Sequence, residues 1–121
     1  MRILLIEPNR PPRPSTTPDT LEALQHIVGG PIQAVYPFEE PVALVCNEEA
    51  KLEGLSPNRA LRDEAGAVYD IICGTFFLCA APPESENFES LTEEQIDRYT
   101  RLFQRPEIFL RVNGEIVAVP I

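Results

Sequence analysis

Residues 56–63, SPNRALRD, combine polar and basic groups that could bind an anion. They place two arginines close together in a chain of formal net charge −9. Ser56 followed by a proline is typical of a helix N-terminus, with serine at the N-cap and proline at the first helical position. The free N–H groups of such a terminus, with Asn58, Arg59 and Arg62 beside them, would suit a phosphate or carboxylate. We therefore predict an anion-binding site on this segment.

Two aromatic residues could extend this site, and several nearby acids offer an alternative explanation of the arginines. Tyr36 and Phe38 could provide a stacking wall for a nucleobase, although aromatic residues in strands more often belong to the core. A plainer interpretation is that the two arginines form ordinary surface ion pairs. Their partners would then be Asp63, Glu64 or the adjacent pair Glu48–Glu49.

The residues that usually carry catalysis or bind metals form no recognisable set. The chain has one histidine, His26, and lacks HExxH, a nucleophile elbow, a P-loop and GxGxxG. Its three cysteines, Cys46, Cys73 and Cys79, have no CxxC spacing and lie in apolar runs. We therefore expect buried free thiols, no metal, no cofactor and no enzyme activity.

The charge distribution narrows the range of partners. From Asp63 to Asp97 the chain has nine carboxylates and neither lysine nor arginine. This acidic segment would repel a polyanion, so we expect no direct binding to nucleic acid. The first apolar run is too short for a signal peptide or a membrane span, which predicts a cytoplasmic protein that does not contact a membrane.

The hydrophobic pattern of the first half predicts strands around one helix. Residues 3–6 favour an internal strand, and residues 8–18 a stiff proline-rich loop. Asp19 is a candidate N-cap for a helix that ends at two glycines, Gly29 and Gly30. Residues 32–47 then predict an antiparallel strand pair.

The second half predicts a turn, a long strand, a helix and a hairpin. A turn over residues 63–66 leads to VYDIICGTFFLCAA, in which Gly74 indicates a bulge or a close backbone approach. Thr92 and Gln95 form a capping box at the start of the second helix. Asn-Gly at residues 113–114 predicts a hairpin. These features favour a single α+β domain over residues 1–121, with a mixed or mainly antiparallel sheet and two helices packed on one face.

Several stretches resemble an uncharacterised family defined by a domain of unknown function. They are GG-x-I, NEE-x-KL-x-GL, NRALRD and GTFF, and the similarity extends over most of residues 1–119. The resemblance implies small acidic proteins that are carried by phages, plasmids and conjugative elements of gut Firmicutes. It implies no catalytic residues, and its setting suggests a role against host defence.

Together these observations lead to one leading expectation and two alternatives. We expect a non-enzymatic, homo-oligomeric protein that sequesters a small nucleotide-derived ligand such as a host immune signal. Asn58, Arg59 and Arg62 would contact its anionic part, with Tyr36 or Phe38 near its base. The first alternative is an acidic mimic of DNA that inhibits a host defence nuclease. The second is an accessory domain of unknown role.

Overall fold

A computed structural model describes residues 1–121 and contains nine strands and two helices. In chain order these elements are β1 (Arg2–Ile6), β2 (Arg13–Thr16), α1 (Leu21–Val28), β3 (Ile32–Val35), β4 (Val42–Asn47), β5 (Pro57–Arg62), β6 (Val68–Cys73), β7 (Phe76–Ala80), α2 (Glu93–Leu102), β8 (Glu107–Val112) and β9 (Glu115–Pro120). Neither helix has the length and apolar character needed to cross a membrane.

Five strands form a central antiparallel sheet in the order β2-β1-β7-β4-β3. The internal position predicted for β1 is confirmed, as is the antiparallel pair β3–β4. Strands β4 and β7 are buried at every position. Because side chains alternate between the two sides of a strand, complete burial means that both faces of the sheet are covered. This is why VALVC and FFLCA are continuous apolar runs.

The two helices cover opposite faces of this sheet. Leu24 and Val28 of α1 pack with Ile3, Val45 and Phe77. On the other face, α2 packs on the alternate positions of the same strands. The mainly antiparallel sheet with two helices is confirmed, but the expectation of both helices on one face is wrong. Local sequence signals define each helix, and they do not determine to which side of the sheet the connections carry it.

The local signals predicted at the helix ends and at the last turn are confirmed, except that the N-cap of α1 lies one residue later than predicted. Thr92 and Gln95 form the complete capping box of α2, and the chain turns at Asn113-Gly114 between β8 and β9. The N-cap of α1 is Thr20, whose hydroxyl accepts a hydrogen bond from the Ala23 N–H. The expectation of Asp19 in this role is therefore displaced by one residue.

One segment that was predicted as a loop, and one that was predicted as a helix start, contain strands in the structure. The proline-rich stretch 8–18 contains β2, which pairs with β1 as an edge strand, where proline is tolerated. The segment beginning at Ser56 does not start a helix, because residues 57–62 form β5. Proline at the first residue of a strand is compatible with pairing. The following turn at residues 63–66 joins β5 to β6 as a hairpin.

Gly74 divides the predicted long strand into two strands of different sheets. It separates β6, which pairs with β5, from β7 in the central sheet. Its φ is +77°, and a Cβ at this position would lie 2.9 Å from Leu55 Cδ1. The predicted close approach of another backbone is not confirmed, because the neighbour is the side chain of Leu55. The β5–β6 hairpin can then pack on the same face as α2, through Leu61 and Ile72.

Candidate functional site

Arg59 is buried, with only 1% of its surface exposed. Its Nε and Nη2 donate hydrogen bonds to the Phe103 carbonyl at 3.2 and 3.0 Å. Nη2 also donates to the Arg10 carbonyl at 2.6 Å, and Nη1 donates to the carbonyl and Oδ1 of Asn58 at 3.2 and 2.8 Å. A guanidinium has five N–H donors, and all five have acceptors within the chain.

The position of this guanidinium explains why a charge is tolerated inside the protein. Phe103 is the C-cap of α2, and the last carbonyls of a helix have no partner within it and lie at its negative end. Burial lowers the pKa of Arg59, because removal from water opposes the charged form, while the nearby Glu107 carboxylate acts in the opposite direction. Arginine stays protonated under these conditions. Arg59 therefore joins the end of α2, the loop at Arg10 and β5.

Asn58 is also buried, and its side chain has its own structural role. Its Nδ2 donates to the carbonyls of Ile6 at 3.0 Å and Gly74 at 2.8 Å. Its Oδ1 accepts from Arg59. These contacts join β5 to the end of β1 and to the connection between the two sheets. A ligand would have to break them to reach the amide.

Arg62 forms an ion pair, as the plainer interpretation expected, but with another partner. Its Nη1 lies 2.7 Å from Glu107 Oε1. The same carboxylate accepts the Ala60 backbone N–H through Oε2 at 3.1 Å. The Glu107 side chain is 6% exposed and that of Arg62 is 32% exposed. Glu107 thus holds the start of β8 against β5, and Arg62 still reaches solvent.

A cavity of about 180 Å³ lies over this cluster and contains three of the predicted site residues, Phe38, Arg59 and Arg62. The rest of its lining comes from four parts of the chain: Pro37, Ala60, Leu61, Tyr69, Leu102, Phe103, Arg105 and Glu107. Tyr69 and Leu102 are exposed at 57% and 61%. They form a partly apolar wall around the cavity.

The other predicted site residues do not lie on this cavity. Tyr36 lines a neighbouring open groove of about 630 Å³, which Phe38 also borders. Glu39, Glu40 and Glu86 line that groove, so it is acidic where an anion site was expected. Ser56 is exposed, and its carbonyl accepts the Gly74 N–H. Because residue 57 begins a strand, Ser56 caps no helix.

The cavity lining is basic within an acidic chain. Its charged residues are three arginines and one glutamate. Arg105, the third arginine, is exposed, and its Nε donates to the Ile121 carbonyl at 3.0 Å. Arg62 and Arg105 therefore present N–H donors at the surface, while Arg59 supplies positive charge beneath them. This arrangement can attract an anionic group and hold it next to an aromatic ring.

The sequence prediction missed Tyr69, Leu102, Arg105 and Glu107. One available signal was the turn at residues 63–66, since a turn before the strand VYDIIC requires a partner strand in front of it. That signal would have identified residues 57–62 as a strand and placed Tyr69 beside it. No signal near Arg105 or Glu107 indicates that they meet β5, because they are more than 40 residues away in the chain.

Residues that could hold a metal are not clustered. No group of three or more histidine, cysteine, aspartate or glutamate side chains is arranged around a common point. Cys46, Cys73 and Cys79 are free thiols, of which Cys73 is half-buried and the others are buried. Burial raises the pKa of all three thiols, in the case of Cys79 to about 12. A raised pKa reduces the thiolate fraction that metal binding and nucleophilic attack require.

Comparison with family models identifies a family for this chain. The model of a family described as a domain of unknown function, DUF3846, matches residues 1–104. This match confirms the expected membership of a family that a domain of unknown function defines. Comparison with curated proteins and with solved structures gives no match to this chain. Strands β8 and β9 lie beyond the matched residues.

Proposed function

We propose that this chain, which belongs to the DUF3846 family, binds a small anionic ligand of the nucleotide type and does not alter it. The cavity lined by Phe38, Arg62, Tyr69 and Arg105 is the binding site. In a protein of a mobile element, such binding would serve to sequester a host immune signal. One observation carries the proposal: the cavity has an excess of positive charge in a chain of net charge −9.

The charge of the lining favours an anion over a neutral ligand. Three guanidinium groups face one carboxylate, and that carboxylate is already paired with Arg62. Arg105 donates only to main-chain carbonyls. A ligand phosphate at the cavity would gain charge-assisted hydrogen bonds without displacing a buried ion pair.

The size of the cavity limits how much of a ligand enters it. Its volume of about 180 Å³ is below the range of about 300–1,000 Å³ that usually encloses a small molecule. One group of the ligand therefore enters, and the remainder lies over the exposed ring of Tyr69. Stacking on an aromatic ring contributes about 1–3 kcal/mol per base. The ligand chemistry that fits this division is a phosphate joined to a planar base.

The test is calorimetric titration with a panel of nucleotides that includes cyclic and ADP-ribose-type compounds. Arg105→Ala removes one exposed guanidinium from the lining, and Tyr69→Ala removes the ring. We expect each change to weaken binding about 5- to 150-fold, since one charge-assisted hydrogen bond or one stacked base contributes about 1–3 kcal/mol. Arg62→Ala is combined with Glu107→Gln so that no buried carboxylate remains unpaired.

The matched control is Arg101→Ala, which removes the same charge from an exposed position of α2 outside the cavity. It is expected to leave affinity nearly unchanged. Equal weakening by Arg101→Ala and Arg105→Ala would mean that only net charge matters, and would overturn the proposed site. Absence of binding by any nucleotide would overturn the ligand class.

A second candidate function rests on the carboxylates of the acidic segment, most of which form no salt bridge. Of the nine carboxylates between Asp63 and Asp97, only Asp70 and Glu93 form salt bridges. The others offer an acidic surface to a basic protein such as a defence nuclease. Replacing Glu84, Glu86 and Glu89, all exposed, by glutamine should then abolish inhibition of the nuclease. Inhibition that persists in this variant would exclude the acidic surface.

A further inference from the structure

The β8–β9 hairpin presents one aliphatic face that no other element covers. Paired residues of antiparallel strands lie on the same face, and the register pairs Ile108 with Val119 and Leu110 with Val117. Val112 extends this row toward the tip of the hairpin, where it pairs with Glu115. These five aliphatic side chains, which we call the aliphatic ladder, are each between 39% and 49% exposed.

The opposite face of the hairpin contacts the body of the protein at its base. Glu107 is buried there against β5, and Phe109 is half-buried. The Ile121 N–H donates to the Pro106 carbonyl at 2.7 Å, which closes the base. The aliphatic ladder therefore has a fixed position. Contiguous apolar surface of this kind is rare on a monomer and usually marks an interaction site.

Charge indicates what covers the ladder. Residues 105–121 contain two arginines and two glutamates, so their side chains are neutral overall while the whole chain has net charge −9. Two copies repel one another through their acidic parts, and a contact through the neutral hairpin adds no net like-charge repulsion. A basic partner would instead be attracted to the acidic segment 63–97.

The distribution of charge along the hairpin also fits a twofold arrangement. Glu115, at the tip, is the one charged residue among the paired residues of the ladder face. When two hairpins stack face to face in opposite directions, the two tip carboxylates lie at opposite ends of the contact and do not meet. The same surface then serves both copies, as a twofold interface requires.

We propose that the aliphatic ladder is a dimer interface, on which a second copy of this chain packs hairpin against hairpin. Each two-stranded sheet covers the ladder of the other and forms a small four-stranded sandwich. This contact also stabilises the hairpin, because an isolated two-stranded sheet is marginal in water. The interface is separate from the ligand cavity and does not depend on the proposed function.

The test is the molar mass in solution, measured by sedimentation or light scattering from about 1 to about 300 μM, a range that covers weak and strong dimers. The wild-type chain should approach twice the mass of one chain as concentration rises. Leu110→Glu should remain monomeric over the whole range, because it buries like charges at the twofold axis. Leu110 is exposed, so this variant should fold, which circular dichroism verifies.

The matched control is Ile116→Glu, at an exposed residue of the opposite face of the same hairpin. It should dimerise as the wild type does. A wild-type chain that is monomeric at every concentration would overturn the proposal, and so would dimers of Leu110→Glu. Equal loss of dimer in both variants would also overturn it, because the contact would then not be specific to the aliphatic ladder.

Discussion

Arg59 shows how one buried side chain can hold distant parts of a chain together. Its five donors are shared among carbonyl groups of Phe103 and Arg10 and the side chain and carbonyl of Asn58. Two of these partners lie 44 and 49 residues away. The guanidinium has no salt-bridge partner and is stabilised by dipoles, among them the C-terminal end of α2. Its main role in the structure is therefore to fix the elements that surround the cavity.

Arg59→Lys tests this structural role. Lysine keeps the charge but has three donors on one nitrogen, and it cannot reproduce the planar fork. We expect the free energy of unfolding in urea to fall by about 2–4 kcal/mol, since buried carbonyls lose their donors. Arg101→Lys, at an exposed position, is the control and should change stability by less than about 0.5 kcal/mol. An equally small effect of Arg59→Lys would contradict the network.

The three thiols should differ in reactivity according to burial. Burial raises the pKa of Cys46, Cys73 and Cys79, and the thiolate is the reactive form. In the native protein at pH 8, a thiol-reactive disulfide reagent should modify the half-buried Cys73 first. The other two should react only on unfolding. Cys73→Ser should remove the first phase, and three equal native rates would contradict the buried positions.

Local sequence patterns do not reveal the long-range contacts that form this site. The plainer interpretation placed both arginines in ion pairs with Asp63, Glu64 or Glu48–Glu49. Only Arg62 has an ion pair, and its partner is Glu107. Glu107 lies 45 residues away, and no local pattern connects the two residues. The serine and proline at residues 56–57 resemble a helix start, yet pairing with β6 and burial of Asn58 and Arg59 favour a strand. Tertiary contacts outweigh a weak local preference here.

At the scale of elements, α2 is attached to the loop between β3 and β4 through Glu40. This carboxylate accepts hydrogen bonds from the Tyr99 hydroxyl, the Arg98 guanidinium and Gln95 Nε2. Phe38, in the same loop, packs on Tyr99 with ring centroids 4.6 Å apart. The hydrogen bond from Tyr99 is the main cause that lowers the pKa of Glu40 below 4.5. Burial, and then the same contact with Glu40, raise the pKa of Tyr99.

Glu40→Gln should therefore reduce stability in a pH-dependent way. A carboxylate whose pKa is lowered by folding stabilises the native state above its unfolded pKa, and loses this effect as pH falls through the folded pKa. The stability difference between wild type and variant should be constant from pH 7 to about 5 and shrink below pH 4.5. Urea unfolding at several pH values measures it.

The neighbouring residue provides the control for this experiment. Glu39→Gln removes a carboxylate from an exposed position of the same loop and should show a smaller difference. A Glu40→Gln difference that stays constant down to pH 3, or that grows as pH falls, would contradict the assignment of the contact.

Elements with strong local signals were predicted correctly, but the faces of the sheet on which the two helices pack were not. The capping box at Thr92, the C-cap at Gly29 and the Asn113-Gly114 turn each depend on a few adjacent residues. The placement of α1 and α2 on opposite faces depends on which positions of β4 and β7 face each helix. Because these strands are buried on both sides, their apolar runs contain no alternation that would reveal it.

In the whole molecule, a basic cavity and an apolar surface lie near one another. The basic cavity at the end of α2 is proposed to bind a ligand, and the aliphatic ladder of β8–β9 is proposed to bind a second copy. Arg105 connects the two regions, since it lines the cavity and bonds to the Ile121 carbonyl at the base of the hairpin. The remaining surface is strongly acidic and keeps other anions away.

Nucleotide binding at the cavity is tested by incubating the protein with the nucleotide panel, removing free ligand and denaturing the protein. The released molecule is then identified by mass spectrometry. We expect an intact nucleotide in the wild-type sample and in Arg101→Ala, and a strongly reduced amount in Arg105→Ala. Release of a cleaved or modified nucleotide would contradict binding without chemistry. Release of no nucleotide from the wild-type protein would contradict the binding site itself.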